Sequence, residues 1–420
     1  VNDPVRLGLR ANAAQFSLLV GLNALVGAMV GLERSVLPLI GERNFGLHSR
    51  TAILAFVLAF GVAKAVTNLG AGSLAERWGR KRVLVVGWLA AAPVPVLIGL
   101  APSWWFIVAA NILLGVNQGL AWSMTVNMKI DLAGPARRGL ALGLNEAAGY
   151  LGVAAAAFVT GVLAAGYAPR TVVWAAAAIV ALTGTIIAIV FVRDTRAYVA
   201  LEQRDHDSTA AAAHTLSTAF AEASLRDPVL RSCSQAGLVN NLNDALAWGL
   251  APLFLAAHGA GDRDIAIVAA VYPVVWGAGQ LVTGWLSDHT GRKPLIASGM
   301  LVQAVALAIL VGGNGSFGPS VIAAAVLGVG TAMVYPTLIA AVSDATQPRD
   351  RARVVGVYRF WRDFGFGLGA LIAGVGTDLA SPDTAIVLVA ALTAASGLVV
   401  VATTWQSDPG APPIGIEPVR

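Results

Sequence analysis

Twelve apolar stretches of about 20 residues, each long enough to cross a bilayer as a helix, alternate with polar connections along this chain of 420 residues. They fall near 13–40, 50–74, 83–101, 104–128, 139–164, 170–192, 229–257, 262–286, 295–312, 318–343, 353–377 and 383–405. A composition of 57% hydrophobic and 12% charged residues, with 46 glycines, gives the chain lipid as its main solvent. The expected fold class is an all-α integral membrane protein of twelve transmembrane helices.

Those twelve stretches contain a duplication. The run from Gly72 to Arg82, with Leu74, Glu76, Arg77, Gly79, Arg80 and Lys81, recurs from Gly284 to Pro294, with Leu286, Asp288, Gly291, Arg292 and Lys293. Arg138 precedes Gly143 by the same interval that separates Arg351 from Gly356, at nearly the same offset. Two independent anchors predict two pseudo-symmetric six-helix bundles, 1–192 and 229–405, joined by a linker at 193–228 and followed by a tail at 406–420. Leu216 and Phe220, one helical turn apart, suggest that part of the linker is an amphipathic helix on the inner membrane surface, with a solvated tether as the alternative.

Cations near helix ends are retained on the cytoplasmic side, so Lys and Arg set the orientation. With the N-terminus inside, 20 of the 28 basic residues fall in cytoplasmic segments and only Arg43, Arg50, Arg170 and Arg263 fall outside. Both termini are therefore expected in the cytoplasm, and the setting is a bacterial inner membrane. The same asymmetry accounts for the net charge of +5 without nucleic acid as a partner. The first apolar stretch is too long for a cleavable signal and lacks a small-residue cleavage site, so it is expected to remain as the first helix. Cys233 is the single cysteine; it makes no internal disulfide and reads as a small buried packing residue.

Charges inside the spans carry the functional information. Glu33 and Arg34 lie in span 1, Lys64 in span 2, Glu146 in span 5, Asp244 in span 7, and Arg359, Arg362 and Asp363 in span 11. An ionised group at mid-bilayer costs about 2.5–3.5 kcal/mol on the insertion scale, so eight of them unpaired would cost on the order of 24 kcal/mol. That exceeds the roughly 5–15 kcal/mol stability of a fold. They must pair with one another or face water. Spans 3, 6, 9 and 12 carry no such charge, as lipid-facing helices require.

Other side chains cluster with these charges. Projection of span 1 places Arg34 on a stripe with Asn23 and turns Glu33 elsewhere, towards span 5. Asn241, Asp244 and Trp248 recur at helical spacing in span 7, flanked by Asn240 and Asn243, and Tyr272, Trp276 and Gln280 do so in span 8. The repeat offset pairs Lys64 with Trp276, Glu146 with Arg359 and Trp122 with Tyr335. Gly139 and Gly143 in span 5, and Gly365 and Gly369 in span 11, are spaced for close helix packing.

The doubled run resembles the signature between helices 2 and 3 of the major facilitator superfamily, and the resemblance covers essentially the whole chain. Gly72, Leu74, Glu76, Arg77, Gly79, Arg80 and Lys81 match in the first half; Gly284, Leu286, Asp288, Gly291, Arg292 and Lys293 match in the second. The resemblance implies two bundles related by an axis along the membrane normal, a central substrate site lined by helices 1, 4, 7 and 10, and alternating access. Read physically, the glycines permit a tight turn, the cations neutralise the carbonyl end of the preceding helix, and the carboxylate reaches a neighbouring helix N-terminus. The motif is thus expected to be a conformational latch, with simple anchoring at the interface as the bland alternative. Two patterns of proton-driven drug exporters are absent: span 4 reads Gly115-Val-Asn-Gln118-Gly119 without the arginine, and span 5 has Asn145-Glu146 in place of a glycine–proline run.

Lys64, Arg359 and Arg362, with Trp122, Trp276 and Tyr335 as stacking surface, are expected to bind a small polar solute, an anion being the alternative their charge favours, together with Arg34, Asn241, Asp244 and Gln280. The competing reading neutralises the arginines in buried pairs with Glu33, Glu146, Asp244 and Asp363. Glu146 and Asp244, joined by Glu33 and Asp363, are the candidates for proton coupling. An enzyme is not expected: no H-E-x-x-H or G-x-S-x-G occurs and the five histidines are scattered. Gly313-Asn-Gly-Ser-Phe-Gly318 matches a nucleotide-binding glycine pattern in form only, since it joins two membrane helices rather than a strand and a helix. No cofactor or metal is expected. The function expected is secondary active transport of a small molecule by a monomer in the lipid bilayer, coupled to protons. Export is the family prior, import of an anionic metabolite the alternative, and a passive uniporter, channel or solute receptor the alternative of another class.

Overall fold

The computed structural model describes residues 6–133, 138–204, 215–346 and 350–405. Among them every regular element is a helix, because a backbone in hydrocarbon must satisfy its own polar groups. In the first half these are α1 (Ala13–Arg34), α2 (Leu37–Arg43), α3 (Arg50–Trp78), α4 (Arg80–Ala91), α5 (Val94–Gly99), α6 (Trp104–Asn117), α7 (Ser123–Ala133), α8 (Arg138–Ala164) and α9 (Pro169–Val190). After α10 (Arg196–Arg204) and α11 (Leu216–Ala221), the second half holds α12 (Pro228–Ala245), α13 (Ala251–Ala257), α14 (Asp262–Thr290), α15 (Arg292–Gly312), α16 (Phe317–Asp344), α17 (Arg351–Leu379) and α18 (Pro382–Ala402). Single π-helical turns at Gln118–Trp122 and Leu246–Leu250 interrupt the α6–α7 and α12–α13 spans.

Ten segments among the described residues are long and apolar enough to cross a membrane. Two more, α12 to α13 and α17, run similar lengths where the repeat expects spans 7 and 11. They carry Asn241 and Asp244, and Arg359, Arg362 and Asp363, respectively. The turn between α3 and α4 places Gly79 at φ +94°, and its repeat partner Gly291 between α14 and α15 has φ +87°. Both occupy the positive-φ region that glycine enters without steric cost, so the doubled signature encodes a doubled backbone break.

Glycine contacts show where the helices meet. A Cβ on Gly27 would lie 1.9 Å from the Gly149 carbonyl oxygen, and one on Gly152 would lie 2.2 Å from that of Ala24, so α1 and α8 touch backbone to backbone. Gly365 and Gly369 likewise face the carbonyls of Leu238 and Leu242 in α12. The halves meet along α3–α17 and α8–α14. There Gly61 faces the Gly367 amide and Gly277 faces Tyr150.

Gly143 departs from expectation, because among the described residues nothing lies within 4 Å of where its Cβ would be. The same holds for Gly72, Gly284 and Gly356. Gly72 and Gly356 are each eleven residues from Gly61 and Gly367, about three turns and 20°. Gly143 and Gly284 are each seven from Tyr150 and Gly277, about two turns and 20°. The faces that touch at mid-membrane have therefore parted at the signature-bearing end, and the halves diverge towards that face. On the far face they are joined. Arg43 forms a salt bridge with Asp262 at 2.9 Å. Asp378, past the apolar stretch of α17, accepts from Ser49 Oγ at 2.6 Å and from the amides of Arg50 and Thr51 at 2.6 and 3.0 Å, capping α3.

Two further expectations change. Asn240 and Asn243 point away from the interface: Asn243 donates to Gln303 at 2.7 Å, Gln303 donates to Asn240 at 3.0 Å, and Thr393 donates to Asn243 at 2.8 Å. This closed network binds α12 to α15 and α18. Lys129, counted from sequence among the loop cations, is buried because the helix continues to Ala133, and its Nζ donates to the Leu19 carbonyl at 3.2 Å. In the linker region, Phe220 packs on Phe360 and Trp361 of α17, while residues 205–214 lie outside the described part. The α11 segment thus docks on protein.

Candidate substrate site

One cleft between the halves collects Lys64, Asn68, Gln118, Trp122, Ser123, Glu146, Tyr335, Arg359 and Arg362. It unites helices from both repeats and five of the residues expected to bind solute. Its free space, about 10 Å³, is room for about one water, so a solute enters only as these side chains part.

Asp363 is the electrostatic hub. Its carboxylate takes Arg362 Nη2 at 2.8 Å and Nε at 2.9 Å, lies 3.6 Å from Lys64 Nζ, accepts a short hydrogen bond from Asn68, and lies 3.4 Å from Asn241 Nδ2. Arg362 also donates to the Tyr335 hydroxyl at 2.6 Å and sits over that ring at 4.9 Å. Asp363 thus pairs with both Lys64 and Arg362, and each cation still lines the cleft. Arg359 is half-buried and its Nε has no hydrogen-bond partner among the described residues.

Glu146 accepts from Trp122 Nε1 at 3.0 Å and Asn145 Nδ2 at 2.9 Å through one oxygen, while Oε2 is buried and unbonded. Among the residues that line this cleft or pair directly with its cations, three cations thus meet two carboxylates, and Asp244 acts on Lys64 and Arg362 from further off. Trp276 lies against Tyr150 with ring centroids 3.5 Å apart and meets Tyr335 at 5.1 Å. Gln280 is buried with both polar atoms unbonded.

A second group lies towards the far face. Arg34 is fully buried over Phe60, Trp248 and Phe56, at 4.8, 5.3 and 5.9 Å. It shares no partner with Asn23, which donates to the Asn145 carbonyl and accepts from Thr125. Eleven residues apart along α1, the two side chains meet different helices, Arg34 reaching α3 and Asn23 reaching α7 and α8. Glu33 is fully buried with Asn111 of α6 beside it and Oε2 unbonded. Asp244 accepts a short hydrogen bond from Tyr272, whose hydroxyl also lies 3.2 Å from Thr331 Oγ1.

At the signature turns, Arg80 lies 3.3 Å from Asp131 and Arg292 lies 3.1 Å from Asp344, one contact in each repeat. Glu76 and Arg77 are exposed. The groups that cap this turn come from beyond α9: Asp194 accepts from the Lys81 amide at 3.1 Å, and Arg196 donates to the Arg77 carbonyl at 3.3 Å. The motif's own charges were expected in those roles. The side chain of Asp288 lies outside the described residues.

Sequence reasoning missed Tyr150, the ring that joins Trp122, Trp276 and Tyr335 across the interface. Its place one turn beyond Glu146 was the available signal. Asn68, which the repeat offset pairs with Gln280, bridges Asp363 and Ser123.

A helical membrane chain whose repeated halves enclose a charged cleft has the architecture of a carrier. The chain belongs to the Major Facilitator Superfamily, whose family model matches residues 14–242 and again 233–418. It is 28% identical over 237 residues to a probable 4-methylmuconolactone transporter of Cupriavidus pinatubonensis, covering 56% of this chain and 54% of that one. It is 26% identical over 294 residues to multidrug resistance protein MdtG of Enterobacter lignolyticus, covering 67% and 66%. The matches thus span about half to two thirds of these relatives' lengths. In fold it resembles a mutant of the nucleoside transporter NupG, with a TM-score of 0.71 at 14% identity, covering 92% of this chain and 99% of that one.

Proposed function

We propose that the protein is a proton-coupled secondary transporter of small carboxylated solutes, working by alternating access between two six-helix bundles, 1–192 and 229–405. The observation that carries this reading is the gathering of Lys64, Arg359 and Arg362 in one central cleft, where Glu146 is the carboxylate among the lining residues, Asp363 pairs with two of the cations, and Asp244 acts on Lys64 and Arg362 from further off. A carboxylate would take the open donor of Arg359 and share Lys64 and Arg362 with Asp363. Arginine suits that role because its planar fork matches a carboxylate. Trp122, Trp276, Tyr335 and Tyr150 supply flat surface for an unsaturated body, and Asn241 and Gln280 supply polar contacts. A methylmuconolactone joins one carboxylate to such a ring, and the relative so named supports this class.

Glu146 and Asp244 are the coupling groups in this reading, each holding one carboxylate oxygen free of hydrogen bonds. Glu33 is a third such carboxylate, and Asp363 serves as counter-ion. Gly72, Glu76, Arg77, Gly79, Arg80, Gly284, Asp288, Gly291 and Arg292 form the latch on the cytoplasmic face, assigned there by the basic bias of the loops. Export of a drug-like solute is the second reading, favoured by the likeness to MdtG.

Uptake of radiolabelled 4-methylmuconolactone into proteoliposomes under a proton gradient tests this. Gradient-dependent movement, reduced about tenfold or more in Lys64→Gln (about 1.4 kcal/mol) and uncoupled from pH in Glu146→Gln, is the expected result. Movement of lipophilic cations but of no carboxylate would establish the export reading in its place.

A further inference from the structure

Two cations, Lys64 and Arg34, stand on one aromatic layer. Lys64 Nζ lies 5.7 Å from the Phe60 ring and 5.1 Å from Phe366, on the cleft side. The Arg34 guanidinium lies 4.8 Å from the same Phe60 ring and 5.3 Å from Trp248. Phe60 meets Phe366 at 5.6 Å and Trp248 stacks on Phe366 at 5.8 Å, so three rings joined through Phe366 stand between the two charges. Helix α3 enters from the far face at Arg50, so Phe60 and Phe56 lie one and two turns nearer that face than Lys64, about 6 and 12 Å along the axis. Arg34, at the far-face end of α1, belongs to that outer level.

The state of Arg34 is unusual. It is fully buried, and Nε, Nη1 and Nη2 all lack a hydrogen-bond partner. Glu33 and Asp244 act on it through space, and neither forms an ion pair with it within 4.0 Å. Asp244 has one bonded and one unbonded oxygen, and the Trp248 indole N–H is unbonded as well. A buried guanidinium without hydrogen bonds is costly, and the surrounding rings offset only part of that cost. The arrangement is a prepared anion site with flat apolar walls, closed off by the far-face contacts of Arg43 with Asp262, of Asp378 with the start of α3, and of Leu54 with Gly249.

We propose that Arg34, with Phe56, Phe60 and Trp248, is a second carboxylate subsite belonging to the state that opens to the far face. The solute carboxylate would then rest on Arg34 in that state and on Lys64, Arg359 and Arg362 in the state described here, passing the Phe60–Phe366–Trp248 layer as the halves rock. This rests on the carboxylate-carrier reading. It assigns Arg34 to one end of the cycle only.

The test uses charge-selective thiol labelling in right-side-out and inside-out membrane vesicles, on Cys233→Ser protein carrying Phe56→Cys, or Phe60→Cys where the first does not assemble. The probes are a sulfonate-bearing and a trimethylammonium-bearing methanethiosulfonate. The expected result is labelling from the far face, at least several-fold faster with the sulfonate, with that preference abolished by Arg34→Gln and retained in Arg34→Lys. Absence of far-face labelling at both positions, or a preference unchanged by Arg34→Gln, overturns the proposal. A parallel cysteine at Ser123 in the cleft, with and without Lys64→Gln, reports on the carrier reading itself. Absence of anion preference at that cysteine with Lys64 intact, or a preference unchanged by Lys64→Gln, would sink that reading and leave the Arg34 result standing.

Discussion

The Nζ of Lys64 lies 3.6 Å from Oδ1 of Asp363, an ion pair that ties α3 of the first half to α17 of the second. Asp363 is fully buried and also holds Arg362 at 2.8 Å, so two buried cations share one carboxylate. A carrier needs such a link to be breakable, and a solute carboxylate is the natural competitor for its cationic side.

Asp363→Asn leaves Lys64 and Arg362 without their counter-charge. Breaking one side of a buried pair costs about 3–5 kcal/mol, so the variant should melt well below the parent in detergent. Lys64→Gln combined with Asp363→Asn should recover part of that loss, a coupling that a double-mutant cycle measures. An Asp363→Asn melting curve that overlays the parent would show that the pair contributes nothing.

Gly143 and Gly356 are repeat partners on faces that touch nearer mid-membrane, yet a Cβ on either would meet nothing within 4 Å among the described residues. Leucine at either position should therefore fold normally and bind solute from the signature face. It should block closure of that face, lowering transport turnover by about tenfold or more, the equivalent of 1.4 kcal/mol in the closing step. Unchanged turnover in both variants would mean that these faces never meet.

The Asp378 cap predicts a pH response. Partial burial raises its pKa, but hydrogen bonds from Ser49, Thr51 and Arg50 outweigh that and hold it below the usual carboxylate value. A depressed pKa means that the cap contributes fully above the ordinary value of about 4 and is lost as pH falls through the lowered one. Amide exchange at Arg50 and Thr51, corrected for intrinsic rates, should stay protected at neutral pH and lose protection in acid. Asp378→Asn should lose it at every pH. Equal protection in parent and variant across that range would remove the cap from the account.

Arg80 with Asp131, and Arg292 with Asp344, form one contact at each signature turn. Partly exposed pairs contribute only about 0–1 kcal/mol each, so Arg80→Gln should shift the melting temperature little. Its effect belongs in the conformational step, seen as a several-fold fall in transport rate at unchanged solute affinity. A fall in affinity with unchanged rate would assign Arg80 to binding.

Much of this was legible in the residue order, because lipid punishes unpaired charge and so makes every in-span carboxylate or guanidinium conspicuous. Lys64, Glu146, Arg359 and Arg362 were found by that rule and share one cleft. The rule says nothing of direction. Asn240 and Asn243 look as functional as Asn241, and only the positions of Gln303 and Thr393 reveal them as internal fastening. Lys129 was missed because hydropathy ends the span where the helix does not. Gly143 was read as a contact because spacing identifies a face suited to close approach and not the moment of approach.

The most direct test of alternating access is a pair of distance distributions by pulsed electron paramagnetic resonance. One doubly labelled protein carries Glu76→Cys and Arg353→Cys on the signature face, and the other Asn44→Cys and Arg263→Cys on the far face, both exposed pairs that bridge the halves. Solute and a pH step should shorten the first distance and lengthen the second in the same population. Two distributions that stay fixed, or that lengthen and shorten together, would contradict a rocking carrier.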